Sequence, residues 1–487
     1  MKKLFVLLCV LCLPGAMRSQ SYCEFTTTAD GSQSLALTTG KTSKKEVSEH
    51  LVTLHRNSRY QDIDGFGYAL TYSACYNLLK MSPAARHRFL VQTFSNQNGY
   101  GASYVRMSIG CNDFSSTEYT LCDKKGLENF AFHSDERQFV LPVLKEVLAI
   151  NPAVKVIAAP WTCPRWMKVS DPVSRKPHYS WTDGRLNPAY RDVYAQYFVK
   201  FIKAMKREGI SVYAVSPQNE PLNKGNCAST FMPWEDEAPF VKAMARAFKK
   251  AGIKTRIYVF DHNYNYDNMP DQYEYPIKVY TALGSSFAGS ELVVGAAYHN
   301  YGGAESELDN IRRLAPGKEL IFTETSIGTW NNGRSLKARL NDDMEHVVLG
   351  TVNRSCRAVM VWNLMLDTQR GPNLDGGCQT CYGAVDIDKE SYSHITYNSH
   401  YYIISHIAAV VKPGAYRVDT NGWQPYGLTY AGFVNPDGST AAVLSNSNDE
   451  PLSLTITDGS GYLDITVPAN GVTSVRMGNF KMPVIDR

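Results

Sequence analysis

Val215-Ser216-Pro217-Gln218-Asn219-Glu220-Pro221 closes one apolar, β-prone run, and Ile321-Phe322-Thr323-Glu324-Thr325 closes another. Each places a glutamate at the C-terminal end of a predicted strand. In a parallel barrel that is the end where catalytic side chains collect. Two carboxyl groups facing one pocket can cleave a glycosidic bond, one as general acid/base and the other as nucleophile. Either glutamate alone reads as a surface residue at a loop start. The pair, flanked by aromatic-rich strand ends, reads as chemistry.

Working outward, the runs Asp62–Leu70, Ser103–Ile109, Lys155–Trp161, Val212–Asn219, Arg256–Asp261, Leu292–Tyr298, Glu319–Thr323 and Ala358–Leu364 are β-like. Amphipathic helices alternate with them, the pattern of parallel βαβ units. After Asn187-Pro188, apolar residues recur at Tyr190, Val193, Tyr194, Tyr197, Phe198, Phe201, Ile202 and Met205, until Gly209 stops the helix. Phe240 to Ala251 repeats the plan and ends at Gly252, and Arg137–Ile150 ends before Asn151-Pro152. Eight strands suffice to close a (β/α)8 TIM barrel, expected over residues 61–410. Beyond Lys412-Pro413-Gly414 come short alternating runs: Gly427–Phe433, Thr440–Ser445, Leu452–Thr457, Leu463–Val467 and Val472–Met477. They predict a small β-sandwich domain over 411–487. Residues 21–60 hold similar pieces, Ser34–Thr39 and Val52–Leu54, expected to join that sandwich. The fold class is thus α/β, a barrel with an appended β-sandwich.

The chain of 487 residues is 44% hydrophobic and 20% charged, ordinary for a globular protein with a large core. Residues 1–20 read as a secretory signal: Lys2 and Lys3, then an apolar Leu4–Leu13 too short to span a bilayer. This predicts a secreted, periplasmic or cell-surface protein. Lys2, Lys3 and Arg18 account for most of the formal charge of +4, so the remainder is nearly neutral. No basic run suggests nucleic acid, and no later apolar stretch suggests stable membrane insertion. Cys111 and Cys122 could close a short loop. Cys378-Gln379-Thr380-Cys381 reads as a loop-bracing disulfide or plain thiols, since no second CxxC or HxxxH completes a zinc site. No G-x-S-x-G elbow, P-loop, H-E-x-x-H helix or complete dinucleotide fingerprint is present. Asp64-Gly65-Phe66-Gly67 reads as close packing at the start of a barrel.

One rim gathers the strand ends: Cys111-Asn112-Asp113-Phe114, Pro160-Trp161-Thr162-Cys163-Pro164-Arg165-Trp166, Asn219-Glu220, Tyr298-His299-Asn300-Tyr301, Thr323-Glu324 and Trp362-Asn363. Amides and carboxylates bind sugar hydroxyls, and aromatic faces cover sugar C–H surface. Trp161, Trp166 and Trp362 could instead be core packing, His299 a satisfied structural histidine, and Asp113 a cap for the following helix or turn.

These motifs together resemble glycoside hydrolase family 30, the family of lysosomal glucosylceramidase and microbial β-1,6-glucanases. The resemblance runs from about residue 60 to 480. It rests on Asp64-Gly65-Phe66-Gly67, Asn112-Asp113-Phe114-Ser115, Pro160-Trp161-Thr162-x-Pro164-x-Trp166, Asn219-Glu220-Pro221, Thr323-Glu324-Thr325, Trp362-Asn363 and Gly371-Pro372-Asn373. It implies Glu220 as acid/base, Glu324 as nucleophile, and Asp113, Trp161, Asn219 and Trp362 around the cleaved glucosyl unit. His299 and Tyr301 match a position pair near the nucleophile. No metal or organic cofactor is implied. The expected partner is a carbohydrate: β-1,6-glucan, with glucosylceramide as the alternative substrate. A protein of another class, a non-catalytic carbohydrate binder, could keep the aromatics and lose a carboxylate, but both glutamates are present. Two further expectations follow. The charge of Glu324 should raise the pKa of Glu220, and Trp330, Tyr301 and Tyr382 should supply aromatic surface beyond the cleaved unit.

Overall fold

The computed structural model describes residues 19–45 and 48–485. The expected signal segment, residues 1–20, therefore lies almost wholly outside the described residues.

Eight parallel strands close into a barrel in chain order: Gly65–Ala69, Tyr104–Ser108, Lys155–Ala159, Val212–Val215, Arg256–Asn263, Val293–His299, Glu319–Glu324 and Cys356–Val361. The fourth and fifth strands pair at Arg256 and Ala214, and the eighth returns to the first at Ala358 and Gly65. Each corresponds to a run predicted from sequence. A layer of inward side chains fills the bore, including Tyr104, Ile157, Tyr258, Ile321 and Met360. The barrel is thus a packed core with functional groups confined to its mouths. Gly67 shows why the first strand begins with glycines. A Cβ there would sit 1.8 Å from the Tyr104 carbonyl oxygen, so the first two strands could not approach.

The helices bury one face against the strands. In Arg191–Arg207, Tyr194, Tyr197, Phe198, Phe201, Ile202 and Met205 are buried, at the spacing read from sequence. Gly209 and Gly252, with φ of 82° and 66°, turn the chain out of this helix and of Trp234–Lys250.

A nine-stranded sheet forms the second layer structure and draws on both ends of the chain. Ser21–Thr28 pairs antiparallel with Gly471–Gly478, and Leu51–Asp62 with Tyr416–Gly422. It encloses its own core of Val52, Leu54, Val418, Leu444, Ile456 and Val475. The strands Ser21–Thr28 and Tyr416–Gly422 were not legible in sequence: the first carries few large apolar residues and ends in three threonines, and the second mixes charged with small residues. Helix Ser399–Val410, buried on all sides, lies between barrel and sheet. Its His406 bridges Ser474 and Thr27, each at 2.9 Å.

The short Cys111–Cys122 bridge is not formed; both thiols are free and buried. Their loop is shaped instead by hydrogen bonds, Cys111 N–H to Tyr119 O and the Cys122 thiol to the carbonyls of Lys124 and Gly126. Cys378 and Cys381 form a disulfide.

Candidate active site

Glu324 is the last residue of the seventh barrel strand, and Glu220 lies five residues beyond the end of the fourth. Glu220 adopts φ of 46°, and its N–H donates to the Asp261 carbonyl at 3.0 Å. Left-handed non-glycine backbone recurs around this rim at Phe260, Asp261 and Asn363. Such conformations persist where surrounding structure imposes them, and they cluster at functional sites. One oxygen of Glu220, one of Glu324 and a ring nitrogen of His299 all lie within 4.8 Å of one another.

Arg106 organises this cluster. It stands in the middle of the second strand, fully buried. Its guanidinium donates to Glu324 Oε2 at 2.5 Å, to Asp261 Oδ2 at 2.9 Å and to Asn219 Oδ1 at 2.7 Å. Asp261 in turn accepts from the Thr323 hydroxyl at 2.5 Å and meets His299 Nε2 at 3.1 Å. The other His299 nitrogen, Nδ1, lies 3.2 Å from Glu220 Oε1. A continuous chain therefore runs Glu324–Arg106–Asp261–His299–Glu220. Removing one partner from such a buried network costs about 3–5 kcal/mol, because the others lose their compensation.

The chain sets the protonation states. Burial alone would strip the proton from His299, but Glu324, Asp261 and Glu220 surround it and push it up to about 9. Burial would raise Glu220 too. The hydrogen bond from His299, the charges of His262 and His299 and a bond from Asn223 outweigh it, so Glu220 is held well below the usual carboxylate range. Glu324 moves upward, chiefly through burial. The expectation that Glu324 would raise Glu220 is therefore reversed. The cation in contact with Glu220 outweighs the more distant anion, and the proton of the His299–Glu220 pair rests on the imidazole.

The remaining expected residues border the same space. Asn219 holds Arg106. The Tyr301 hydroxyl lies 3.1 Å from both Glu324 Oε1 and Ser326 Oγ. Asp113 does not cap a turn; Asn112 does so, accepting from Phe114 N–H. Asp113 instead accepts from Trp161 Nε1 at 3.1 Å and from the N–H of disulfide-bonded Cys378 at 3.2 Å. Burial and the charges of Glu324 and Glu220 push its carboxyl up to about 7. Trp161 and Trp362 stack on each other, centroids 5.1 Å apart, with Arg106 over both rings. Each is at most 3% exposed. They pack as core and shield the buried Arg106 cation. Trp166 lies outside this group and donates to the Cys122 carbonyl. Trp330 and Tyr301 are about half open, at 52% and 43%, and line a groove of about 460 Å³ with Asn300, Thr325 and Ser326. Tyr382 lies beneath Arg334.

Arg106, Asp261, Asn223 and Asn226 are neighbours of the two glutamates that sequence reading missed. Arg106 left a signal: a charge in the middle of Tyr104-Val105-Arg106-Met107, where a buried parallel strand should be apolar throughout. Asn223 and Asn226, whose amides donate to Glu220 Oε2 at 2.8 and 3.2 Å, left none. The Glu220–His299–Glu324 triad has a spacing a cation could use. However, His299 has both nitrogens committed within the chain, and Glu324 is paired with Arg106.

A closed parallel barrel with two buried glutamates on its C-terminal rim, among amides and tryptophans, defines a glycoside hydrolase. The chain belongs to glycosyl hydrolase family 30: residues 63–411 match the family's TIM-barrel domain and residues 414–475 its beta sandwich domain. Among solved structures, the endo-β1,6-glucanase BT3312 is 54% identical, with a TM-score of 0.89 over 94% of this chain and all of that one. The endo-1,6-β-D-glucanase BGN16.3 of Trichoderma harzianum is 28% identical, covering 85% of this chain and 84% of its own. Lysosomal acid glucosylceramidase of Mus musculus is 24% identical, over 87% and 82%.

Proposed function

We propose that this glycoside hydrolase cleaves β-1,6-glucan with retention of configuration, Glu324 as nucleophile and Glu220 as acid/base. The observation that carries the mechanism is the approach of the two carboxyl groups, with oxygens within 4.8 Å. An inverting enzyme needs roughly 6.5–9.5 Å to admit a water, whereas a retaining one needs roughly 5–5.5 Å. Glu324 is ionised against Arg106 and faces the anomeric carbon. The proton for the leaving oxygen passes from His299 Nδ1 to Glu220 Oε1 and on to the substrate. Once Glu324 is esterified, His299 loses the largest charge that held its proton. Glu220, ionised and steadied by Asn223 and Asn226, then takes a proton from the attacking water.

The linkage rests on likeness to the endo-β1,6-glucanase BT3312, which is far greater than to the mouse glucosylceramidase. The open Tyr301–Trp330 groove offers aromatic and polar surface suited to further sugar units. Among the described residues no helix is long and apolar enough to cross a membrane. The test is a product profile on β-1,6-glucan, laminarin, xylan and detergent-dispersed glucosylceramide, with early anomers followed by NMR. Faster cleavage of β-1,6-glucan and a β-anomer first are expected. A higher kcat/KM on glucosylceramide overturns the substrate, and an α-anomer first overturns the mechanism. We further propose action outside the cytoplasm after removal of about the first 20 residues, supported by Lys2, Lys3 and the Leu4–Leu13 run. N-terminal sequencing of exported protein checks it.

A further inference from the structure

Glu237 touches no part of the pocket, yet it grips the segment that carries Asp261. It lies in the first turn of helix Trp234–Lys250 and is fully buried. Its Oε1 accepts from the Phe260 N–H at 2.9 Å, and its Oε2 lies 2.9 Å from the Tyr275 hydroxyl. That hydroxyl also lies 2.5 Å from the Met232 carbonyl oxygen. A carbonyl oxygen can only accept, and a phenol has one proton. The shorter contact takes the Tyr275 proton, so the contact between Glu237 and Tyr275 needs a proton of its own. A protonated Glu237 supplies it: Oε2–H donates to Tyr275, Tyr275 donates to Met232, and Oε1 accepts from Phe260. All the polar atoms in the chain are then satisfied.

The surroundings agree. Burial pushes the Glu237 carboxyl up to about 8, against the lowering effect of its Phe260 and Tyr275 bonds, and the Asp261 charge adds to the rise. The groups facing it are Asp261 from the fifth strand, Tyr275 and Tyr280 from helix Tyr275–Leu283, and Asp236 and Glu235 beside Tyr275. All are acids or phenols.

The residue Glu237 grips is conformationally unusual. Phe260 and Asp261 are consecutive left-handed non-glycine residues, with φ of 73° and 66°. Such residues are strained and persist only where their surroundings enforce them. The same residues coincide with a register shift in the pairing of the fifth and sixth strands, between Phe260 and His262. Such an irregularity re-aims a side chain. Here it delivers the Asp261 carboxylate to Arg106, His299 and Thr323.

We propose that Glu237 is a positioning residue, a neutral carboxylic acid that pins the Phe260 N–H and so fixes the left-handed kink aiming Asp261 at Arg106 and His299. The inference rests on the reading of Glu220 and Glu324 as the reacting pair, but not on the linkage of the natural substrate.

The test compares Glu237→Gln, Glu237→Ala and Tyr275→Phe. Readouts are kinetics on β-1,6-glucan and 2,4-dinitrophenyl β-glucoside, the downfield proton resonance of the His299 ring N–H facing Asp261, and Tm. A glutamine amide keeps one acceptor for Phe260 and one donor for Tyr275. Glu237→Gln should therefore hold kcat within about threefold and leave the His299 resonance in place. Glu237→Ala should lower kcat by about 10–100-fold with KM within about threefold, and move the resonance, as expected when a catalytic group is misplaced by up to an ångström. Tyr275→Phe should move kcat and the resonance the same way by less. If Glu237→Ala does not fold, the other two variants decide. A folded Glu237→Ala or Tyr275→Phe with native kcat and native resonance overturns the proposal, as does a Glu237→Gln damaged as badly as the alanine variant. If the wild type turns over neither substrate, the reading of the reacting pair fails, and the His299 resonance still judges the clamp.

Discussion

The two mouths of the barrel both carry clustered charge, partly exposed at one and buried at the other, in opposite balance. At the N-terminal mouth, Asp64 meets Lys155 at 2.8 Å and Arg357 at 3.4 Å. Glu319 meets Arg256 at 2.5 Å and Arg357 at 2.7 Å and accepts from Tyr258. Two acids face three cations, drawn from five strand starts, and the network ties strands together. At the C-terminal mouth, Asp113, Glu220, Asp261 and Glu324 gather around Arg106 and His299, with His262 also near Glu220. The first arrangement neutralises each acid and holds Asp64 below its ordinary range, the pull of Lys155 and Arg357 overcoming burial. The second leaves acids in excess, pushes Asp113 and Glu324 up, and holds His299 above its ordinary range. The same fold thus uses charge to tie strands together at one end and to set protonation states at the other.

The sharpest test of this contrast is Glu324→Gln. It should lower kcat by more than about a thousandfold, and a 2-fluoro glycoside should label Glu324 in the wild type, as read by peptide mapping. Label on another residue breaks the assignment. Glu220→Gln should follow, losing about 10²–10⁴-fold on glucan, the usual range for a general acid. For 2,4-dinitrophenyl β-glucoside, whose leaving group needs no proton, the first step should lose far less. Equal loss on both substrates removes Glu220 from the acid role.

At the opposite mouth, Glu319→Gln should cost about 1–3 kcal/mol of stability, seen by denaturant unfolding, as charged hydrogen bonds are weakened. At a permissive temperature kcat should stay native; a parallel loss of kcat would mean that the two mouths are coupled.

The pH dependence of stability separates the ends further. His299 is raised in the fold, from 6.5 to about 9. Its contribution is full below about 6.5 and is lost as pH rises through about 9. Asp64 is lowered, so its contribution is present above 3.8 and is lost as pH falls below it. His299→Asn should flatten the alkaline limb, and Asp64→Asn part of the acid limb, in Tm measured against pH. The smallest effect belongs to the Cys378–Cys381 loop, whose N–H holds Asp113. The double serine variant should raise KM by at most about tenfold, the worth of one ordinary hydrogen bond, with kcat nearly unchanged.

Much of this was legible in the chain. The eight strands announced themselves because buried parallel strands are continuous apolar runs, and the helices because one face repeats every three to four residues. Glu220 and Glu324 stood out because a carboxylate ending such a run has no packing reason to be there. Arg106 carried the same signal within a strand and was passed over. Asp261 sat at the end of a predicted strand with no neighbour in sequence to give it a role.

The sequence by itself determined the barrel, the sandwich joined from both chain ends, the two glutamates and the family, since each depends on local periodicity or on a short motif. Only the tertiary structure decided where the proton rests. That depends on His299 meeting Glu220 at 3.2 Å and Asp261 at 3.1 Å, contacts between residues dozens of positions apart. Charges interact through distance and burial, and neither is written in the order of residues.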